Sequence, residues 1–396
     1  MITLRKKTSE IMLFAIAISI LQSCGNNSQE QSSEGKPQIN KVKDIIIYED
    51  PLFYASFSSV VKRPDGELLV AFRRAPNRRN FGETSYTHVD PNSYLVMVRS
   101  RNGENWSKEP ELIYAHPFGG SQDPCLLQLR DGTLLCASYG WAIMKPESFE
   151  KFNDPVSWQK LATFLGGYIV RSTDGGKNWE GPVYPTSVPS ETRRNILGYT
   201  MPAYNRGAMC EGKSGRIYWA VAAPNPSRGF GVYLMTSDDK GMTWNYNCPV
   251  ATDSVASFNE TSVYETPKGD IVAFLRTANF NDQACIARST DGGKSFKWES
   301  MDFQGHPLNA LRLPDNRVLL TYGYRHEPYG IRARILNAEC TDFAASEEFI
   351  LRDDGGGFDI GYTWPVQLDG NKVLVVYYFN KNDGIRYISG TIIEIK

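Results

Sequence analysis

Apolar residues in this chain come in short bursts separated by turn residues. Glu67-Leu68-Leu69-Val70-Ala71-Phe72 follows Pro64-Asp65-Gly66, and Thr133-Leu134-Leu135-Cys136-Ala137 follows Asp131-Gly132. The same rhythm returns at Asp270–Leu275, Arg317–Thr321 and Lys372–Tyr377. Brief apolar runs, each opened by a turn containing Gly or Asp, are strand signals. No long stretch repeats its apolar positions at helical spacing, so long amphipathic helices are not expected. These runs read as the second strands of successive four-stranded units.

Between the runs lies a repeat. Ser172-Thr173-Asp174-Gly175-Gly176-Lys177-Asn178-Trp179 returns as Ser237-Asp238-Asp239-Lys240-Gly241-Met242-Thr243-Trp244 and as Ser289-Thr290-Asp291-Gly292-Gly293-Lys294-Ser295-Phe296. A copy one residue shorter is Ser100-Arg101-Asn102-Gly103-Glu104-Asn105-Trp106. The Ser positions are separated by 72, 65 and 52 residues, about one four-stranded blade each. Each copy reads as a hairpin turn in which Asp caps backbone amides, Gly takes positive φ and the aromatic packs over the turn. Asp174, Asp239 and Asp291 are therefore structural rather than catalytic. The fold predicted is all-β: a single six-bladed β-propeller over residues 41–396, with these turns as its Asp boxes.

The N-terminus changes the picture of where that domain works. Arg5, Lys6 and Lys7 precede an 11-residue apolar run, Ile11 to Leu21, followed by Gln22-Ser23-Cys24-Gly25. A basic segment, a short apolar run and small residues describe a secretory signal, and the run is too short to span a bilayer. Leu21-Gln22-Ser23-Cys24-Gly25 resembles a bacterial lipobox, which implies a signal peptide over 1–23 and lipidation of Cys24. Residues 24–40 are polar and low in complexity, as a flexible tether should be. The expected location is exported and lipid-anchored, at the outer membrane, facing the periplasm or the cell exterior.

Composition then removes alternatives. With 41% hydrophobic residues the chain has ample core material. Its 43 Lys+Arg against 44 Asp+Glu argue against a nucleic-acid partner, which needs a basic surface. The six remaining cysteines form no CxxC pair and mostly sit in apolar runs, so buried free thiols are expected, with Cys125 and Cys136 the one pair worth checking. The four histidines (His88, His116, His306, His326) lack metal-ligand spacing. No metal and no cofactor are expected, and the chain is expected to be monomeric.

The Asp boxes, their order and the segments between them resemble the sialidase-like superfamily over nearly all of residues 45–396. Asn259-Glu260-Thr261-Ser262-Val263-Tyr264-Glu265, with Arg276 and the box at Ser289 beyond it, is similar to a sialidase stretch in which the Glu is base to a tyrosine nucleophile and the Arg binds the substrate carboxylate. The resemblance implies those roles for Glu260 and Arg276. It implies Tyr362, in Phe358-Asp359-Ile360-Gly361-Tyr362-Thr363-Trp364-Pro365, as the nucleophile. A tyrosine near pKa 10 needs such a base, and a neutral nucleophile avoids repulsion with an anionic sugar. Tyrosine-nucleophile sialidases are a known exception to the two-carboxylate rule for glycosidases. Asp90 is placed like the general acid, with Glu83 as a competitor. Arg332 or Arg325 supplies a further clamp, and the sequence leaves open which. Gln122-Asp123-Pro124 resembles another sialidase segment, so Asp123 either lines the pocket or begins a strand. Among the aromatics near turns, Trp364 beside Tyr362 is the one expected to meet a sugar.

One departure stands out. Sialidases usually open with an F/Y-R-I-P motif whose Arg heads the carboxylate-binding triad; here the matching stretch is Tyr54-Ala55-Ser56-Phe57. Loss of that contact costs ~2–5 kcal/mol towards a carboxylate. Arg73, Arg74 and Arg206 are the candidates to compensate. The expected function is an exported exo-glycosidase of sialidase type, removing a terminal and acidic sugar from a glycan with retention. The alternatives are a glycosidase for a non-sialic sugar and a non-catalytic glycan-binding lipoprotein.

Overall fold

The computed structural model describes residues 37–83, 89–151, 157–158, 162–382 and 384–396. Cys24 and the expected signal peptide over 1–23 lie outside the described residues. Six antiparallel sheets form the blades of a propeller. Blade 1 comprises Phe53–Lys62, Leu68–Pro76, Tyr94–Ser100 and Glu111–Tyr114. In blade 2 the inner edge is split into Gly120–Ser121 and Cys125–Gln128, both paired with Leu134–Ile143; Ala162–Ser172 and Glu180–Val183 complete it, with a short Ser157–Trp158 pairing. Blade 3 runs from Cys210–Glu211 to Asn245–Ala251, blade 4 from Phe258–Glu265 to Lys297–Gln304, and blade 5 from Leu308–Arg312 to Glu348–Arg352. Blade 6 takes Gly361–Gln367, Lys372–Asn380 and Arg386–Ile395 from the C-terminus and Ile39–Tyr48 from the N-terminus as its outer strand. That outer strand starts at Ile39, two residues before the expected boundary at Lys41.

Every apolar run marked in the sequence is a second strand, fully paired on both sides and buried: Val70, Leu135, Val272, Leu319 and Val375 are all inaccessible to solvent. Apolar faces of adjacent blades meet in clusters, such as Val70, Phe72, Leu374 and Tyr378 between blades 1 and 6. The Asp boxes are the turns between third and fourth strands of blades 1 to 4. Asp174 Oδ1 accepts from the amides of Lys177 and Asn178, both at 3.0 Å, while the Ser172 hydroxyl donates to it at 2.8 Å and accepts from Gly176 N at 2.8 Å. The same bonds recur around Asp239 and Asp291. All six cysteines among the described residues are free, Cys125 and Cys136 included.

The inner strands carry the features that shape the axis. Register slips between Ser56 and Ser59, Phe258 and Thr261, and Gly361 and Trp364 put a bulge in blades 1, 4 and 6. Phe57 and Tyr362 sit at these bulges with positive φ, 58° and 53°. Bulges turn a side chain out of the alternating pattern of a strand, and here they aim residues at the centre.

Candidate active site at the propeller axis

Three inner-edge segments and one second strand bring four side chains together. The Tyr362 hydroxyl donates to Glu260 Oε1 at 2.6 Å and accepts from Arg206 Nη1 at 2.6 Å. That same Nη1 lies 2.8 Å from Glu260 Oε1. Arg276, at the end of the second strand of blade 4, pairs with Glu260 Oε2 and stands 3.5 Å from the Tyr362 hydroxyl. Gly207 lets the loop carrying Arg206 approach blade 4, since a Cβ there would lie 1.7 Å from the Thr261 carbonyl oxygen.

Tyr362 and Glu260 are 6% and 5% exposed, so their charges interact in a poorly solvated setting. Burial by itself would raise the Glu260 carboxyl, but the charges of Arg276 and Arg206 and the Tyr362 hydrogen bond outweigh it and hold the group well below the usual carboxylate range. Burial pushes the Tyr362 hydroxyl above its ordinary value, against the pull of Arg206. In the resting site the proton thus sits on Tyr362 and the negative charge on Glu260.

Beneath this pair, Asp123 Oδ2 anchors Arg206 Nε at 2.5 Å and accepts from the Tyr139 hydroxyl at 3.0 Å. Asp123 is 2% exposed, a floor residue under Arg206 rather than a surface one. Of Arg325 and Arg332, Arg325 is the one beside Tyr362. Its guanidinium lies 5.4 Å over the Tyr362 ring and donates to the Ile360 carbonyl and the Tyr378 hydroxyl at 3.0 and 3.1 Å. Arg332 lies on the third strand of blade 5, 3% exposed, and its donors are taken by the carbonyls of Arg352 and Pro328.

Several other expected residues make no hydrogen bond to this cluster. Arg74 is held by Asp50 at 3.1 Å and Tyr94 at 2.8 Å and stacks on Phe53, so it braces blade 1. Arg73 is wholly buried beside the Tyr54 ring, close enough to Asp123 to feel its charge. Trp364 packs against two core clusters and reaches only a small cavity below Tyr362. Asp90 is 2% exposed and engaged by Arg78 through bonds of 2.6 and 2.9 Å. Glu83 lies 3.8 Å from the same Arg78. Ala55 faces the core with Val70, Phe72 and Val376; Phe57 is the blade 1 residue that reaches the centre, its ring edge-on to Tyr362 at 5.0 Å.

A cleft of about 430 Å³ opens beside Glu260 and Arg206. Tyr139, Trp141, Phe164, Tyr204 and Phe230 wall it, with ring centroids of neighbouring pairs 4.4 to 5.6 Å apart among the first four. Arg193 stands in the same wall, locked by Glu191 through bonds of 2.9 and 2.6 Å. No local pattern brings these rings together, because they come from four different chain segments.

Comparison with known proteins agrees with this architecture. The model of the BNR repeat-like domain matches residues 148–354. The chain belongs to that family. A crystal structure of a protein of unknown function from Dyadobacter fermentans is 61% identical, with a TM-score of 0.88, covering 90% of this chain and 99% of that one. NanB sialidase from Streptococcus pneumoniae, as its K499G mutant, superimposes with a TM-score of 0.60 at 13% identity, over 88% of this chain and 70% of that chain. Trypanosoma rangeli sialidase gives 0.60 at 13%, over 89% of this chain and 59% of that one. No curated protein sequence matches. The fold of this BNR-repeat protein is that of the sialidase-like propellers.

Proposed function

We propose that this BNR-repeat protein is a retaining glycoside hydrolase acting on a terminal, anionic sugar, with Tyr362 as nucleophile and Glu260 as its base. The observation that carries this reading is the 2.6 Å bond between the Tyr362 hydroxyl and Glu260 Oε1, flanked by two guanidinium groups. Tyrosine becomes a competent nucleophile when a base accepts its proton and a cation stabilises the phenoxide. Arg206, donating to the phenolic oxygen, supplies that cation. Arg206 and Arg276 also hold Glu260 deprotonated, and in doing so make it a weak base at rest. A sugar carboxylate that engages them, together with Arg325, draws their charge away from Glu260 and raises its proton affinity. Tyr362 then passes its proton to Glu260 and attacks the anomeric carbon as the bond to the leaving oxygen breaks, that oxygen taking a proton from solvent. Water later attacks the anomeric carbon and gives its proton to solvent, while the glycosyl–tyrosine bond breaks and Glu260 returns the proton to Tyr362. The aromatic cleft is the place for the rest of the glycan, whose C–H faces stack on such rings.

The test uses fluorogenic glycosides of sialic and uronic acids, whose phenolic leaving groups need no acid. Release by the wild type that falls 10³-fold or more in kcat in Tyr362→Phe and Glu260→Gln is expected. No release from any of them would sink the hydrolase. The engagement of Asp90 by Arg78 favours a second reading, a glycan-binding protein without turnover; calorimetric binding of an acidic oligosaccharide with no hydrolysis is its signature. We further propose export and anchoring through Cys24. In a host that processes bacterial lipoproteins, Cys24→Ser is expected to move the chain from the membrane fraction to the soluble one; an unchanged distribution would refute the anchor.

A further inference from the structure

Directly below Arg206 and Tyr362, the inner strands of blades 1, 2, 4, 5 and 6 enclose a cavity of about 10 Å³, lined among others by Ser58, Asp123, Asn309 and Thr363. Each of these four comes from a different blade, and each is at least nine-tenths buried: 2%, 2%, 5% and 2% exposed. Ser58 Oγ, Asp123 Oδ1, Asn309 Nδ2 and Thr363 Oγ1 have no hydrogen-bond partner on another described residue. Buried polar atoms in native proteins are rarely left unpaired, and four around one small space is a coherent set rather than four separate lapses. The volume is about that of one water-sized sphere.

We infer that this cavity is a binding site for one ordered water molecule, and that the water positions Arg206 through Asp123. The donor and acceptor set fits that occupant. Asp123 Oδ1 only accepts and Asn309 Nδ2 only donates, while the two hydroxyls do either. A water that donates to Asp123 and one hydroxyl, and accepts from Asn309 and the other, satisfies all four atoms at once. A cation would face the Asn309 amide hydrogens and the Arg206 guanidinium, which also lines the cavity. An anion would face the Asp123 carboxylate. With Oδ1 tied to the water, Oδ2 is held on Arg206 Nε, and Arg206 Nη1 is thereby aimed at the Tyr362 hydroxyl. Asp123 is in this account a positioning residue. The inference stands whether the site above hydrolyses a glycan or only binds one.

The test is a high-resolution crystal structure of the full chain grown in rubidium bromide, in which both ions scatter anomalously. A single peak within hydrogen-bond distance of the four atoms, without anomalous signal, is the expected result. A rubidium or bromide signal there, or no peak, overturns the water. The isosteric variant Thr363→Val and the variant Asn309→Leu, crystallised alongside, are expected to lose the peak and to lengthen the Arg206–Tyr362 contact beyond hydrogen-bonding range. Loss of the peak with Arg206 unmoved in both variants overturns the positioning role.

Discussion

Tyr362 lies 102 positions from Glu260 and 86 from Arg276, and the likeness of their segments to sialidase segments singled out all three. That likeness did not mark Arg206 as the arginine between them. Arg206 was one of three arginines proposed to replace a missing one, and only its approach through Gly207 to blade 4 distinguishes it from Arg73 and Arg74. His306 was noted only as a non-ligand, yet it is 5% exposed and close enough to the axial cluster to feel its charges. Burial first, then Arg276 and Arg325, lower its pKa to about 2, against the opposing pull of Glu260; His326 adds to the lowering and Asp282 Oδ2 lies 4.0 Å from Nε2. The folded state therefore holds His306 neutral, while the unfolded chain takes up the proton below about pH 6.5. Stability contributed by the neutral ring is present above that pH and is lost as the pH falls towards 2, amounting to about 2 kcal/mol by pH 5. Calorimetry of wild type and His306→Gln between pH 7 and 5 is expected to show a flatter Tm profile for the variant. Parallel profiles would contradict a buried neutral imidazole.

At the scale of elements, turn chemistry and strand pattern were both legible, because each rests on contacts within a few residues. Ser237 illustrates the economy of the Asp box: its hydroxyl donates to Asp239 and accepts from the Gly241 amide, in a position with no solvent access. Ser237→Ala leaves that amide without its partner and is expected to cost about 1–2 kcal/mol, read as a drop of a few degrees in Tm. An unchanged Tm would mean that the turn is held by Trp244 packing alone. The bulges were not legible. Nothing in Tyr54-Ala55-Ser56-Phe57 announces that register slips after Ser56, yet that slip puts Phe57, not residue 55, at the axis. Ala55 is instead packed in the core.

The propeller over the described residues is a ring closed by pairing of Ile39–Tyr48 with Arg386–Ile395 over nearly the full length of both strands. The blade it completes also carries Tyr362 on its inner strand. Removal of residues 1–48 leaves Arg386–Ile395 as an open edge and uncovers Ile388 and Ile392, which the full chain buries. Such a truncation is expected to aggregate or to be cut rapidly by protease under conditions where the full chain resists. A truncated chain as resistant as the parent would show that closure adds nothing to the ring.

By itself the sequence determined the class of fold and the number of blades, because a propeller repeats one local unit whose strands and turns each obey short-range rules. The resemblance of their segments to sialidase segments also singled out Glu260, Arg276 and Tyr362. The tertiary structure decided which arginines share the axis, that Asp90 is engaged by Arg78, and that five aromatic rings from four segments form one cleft. Those outcomes depend on where bulges and close glycine contacts bring different blades together. Distances of a few ångströms between residues a hundred positions apart are set by packing around the axis, and no local pattern of residues encodes them.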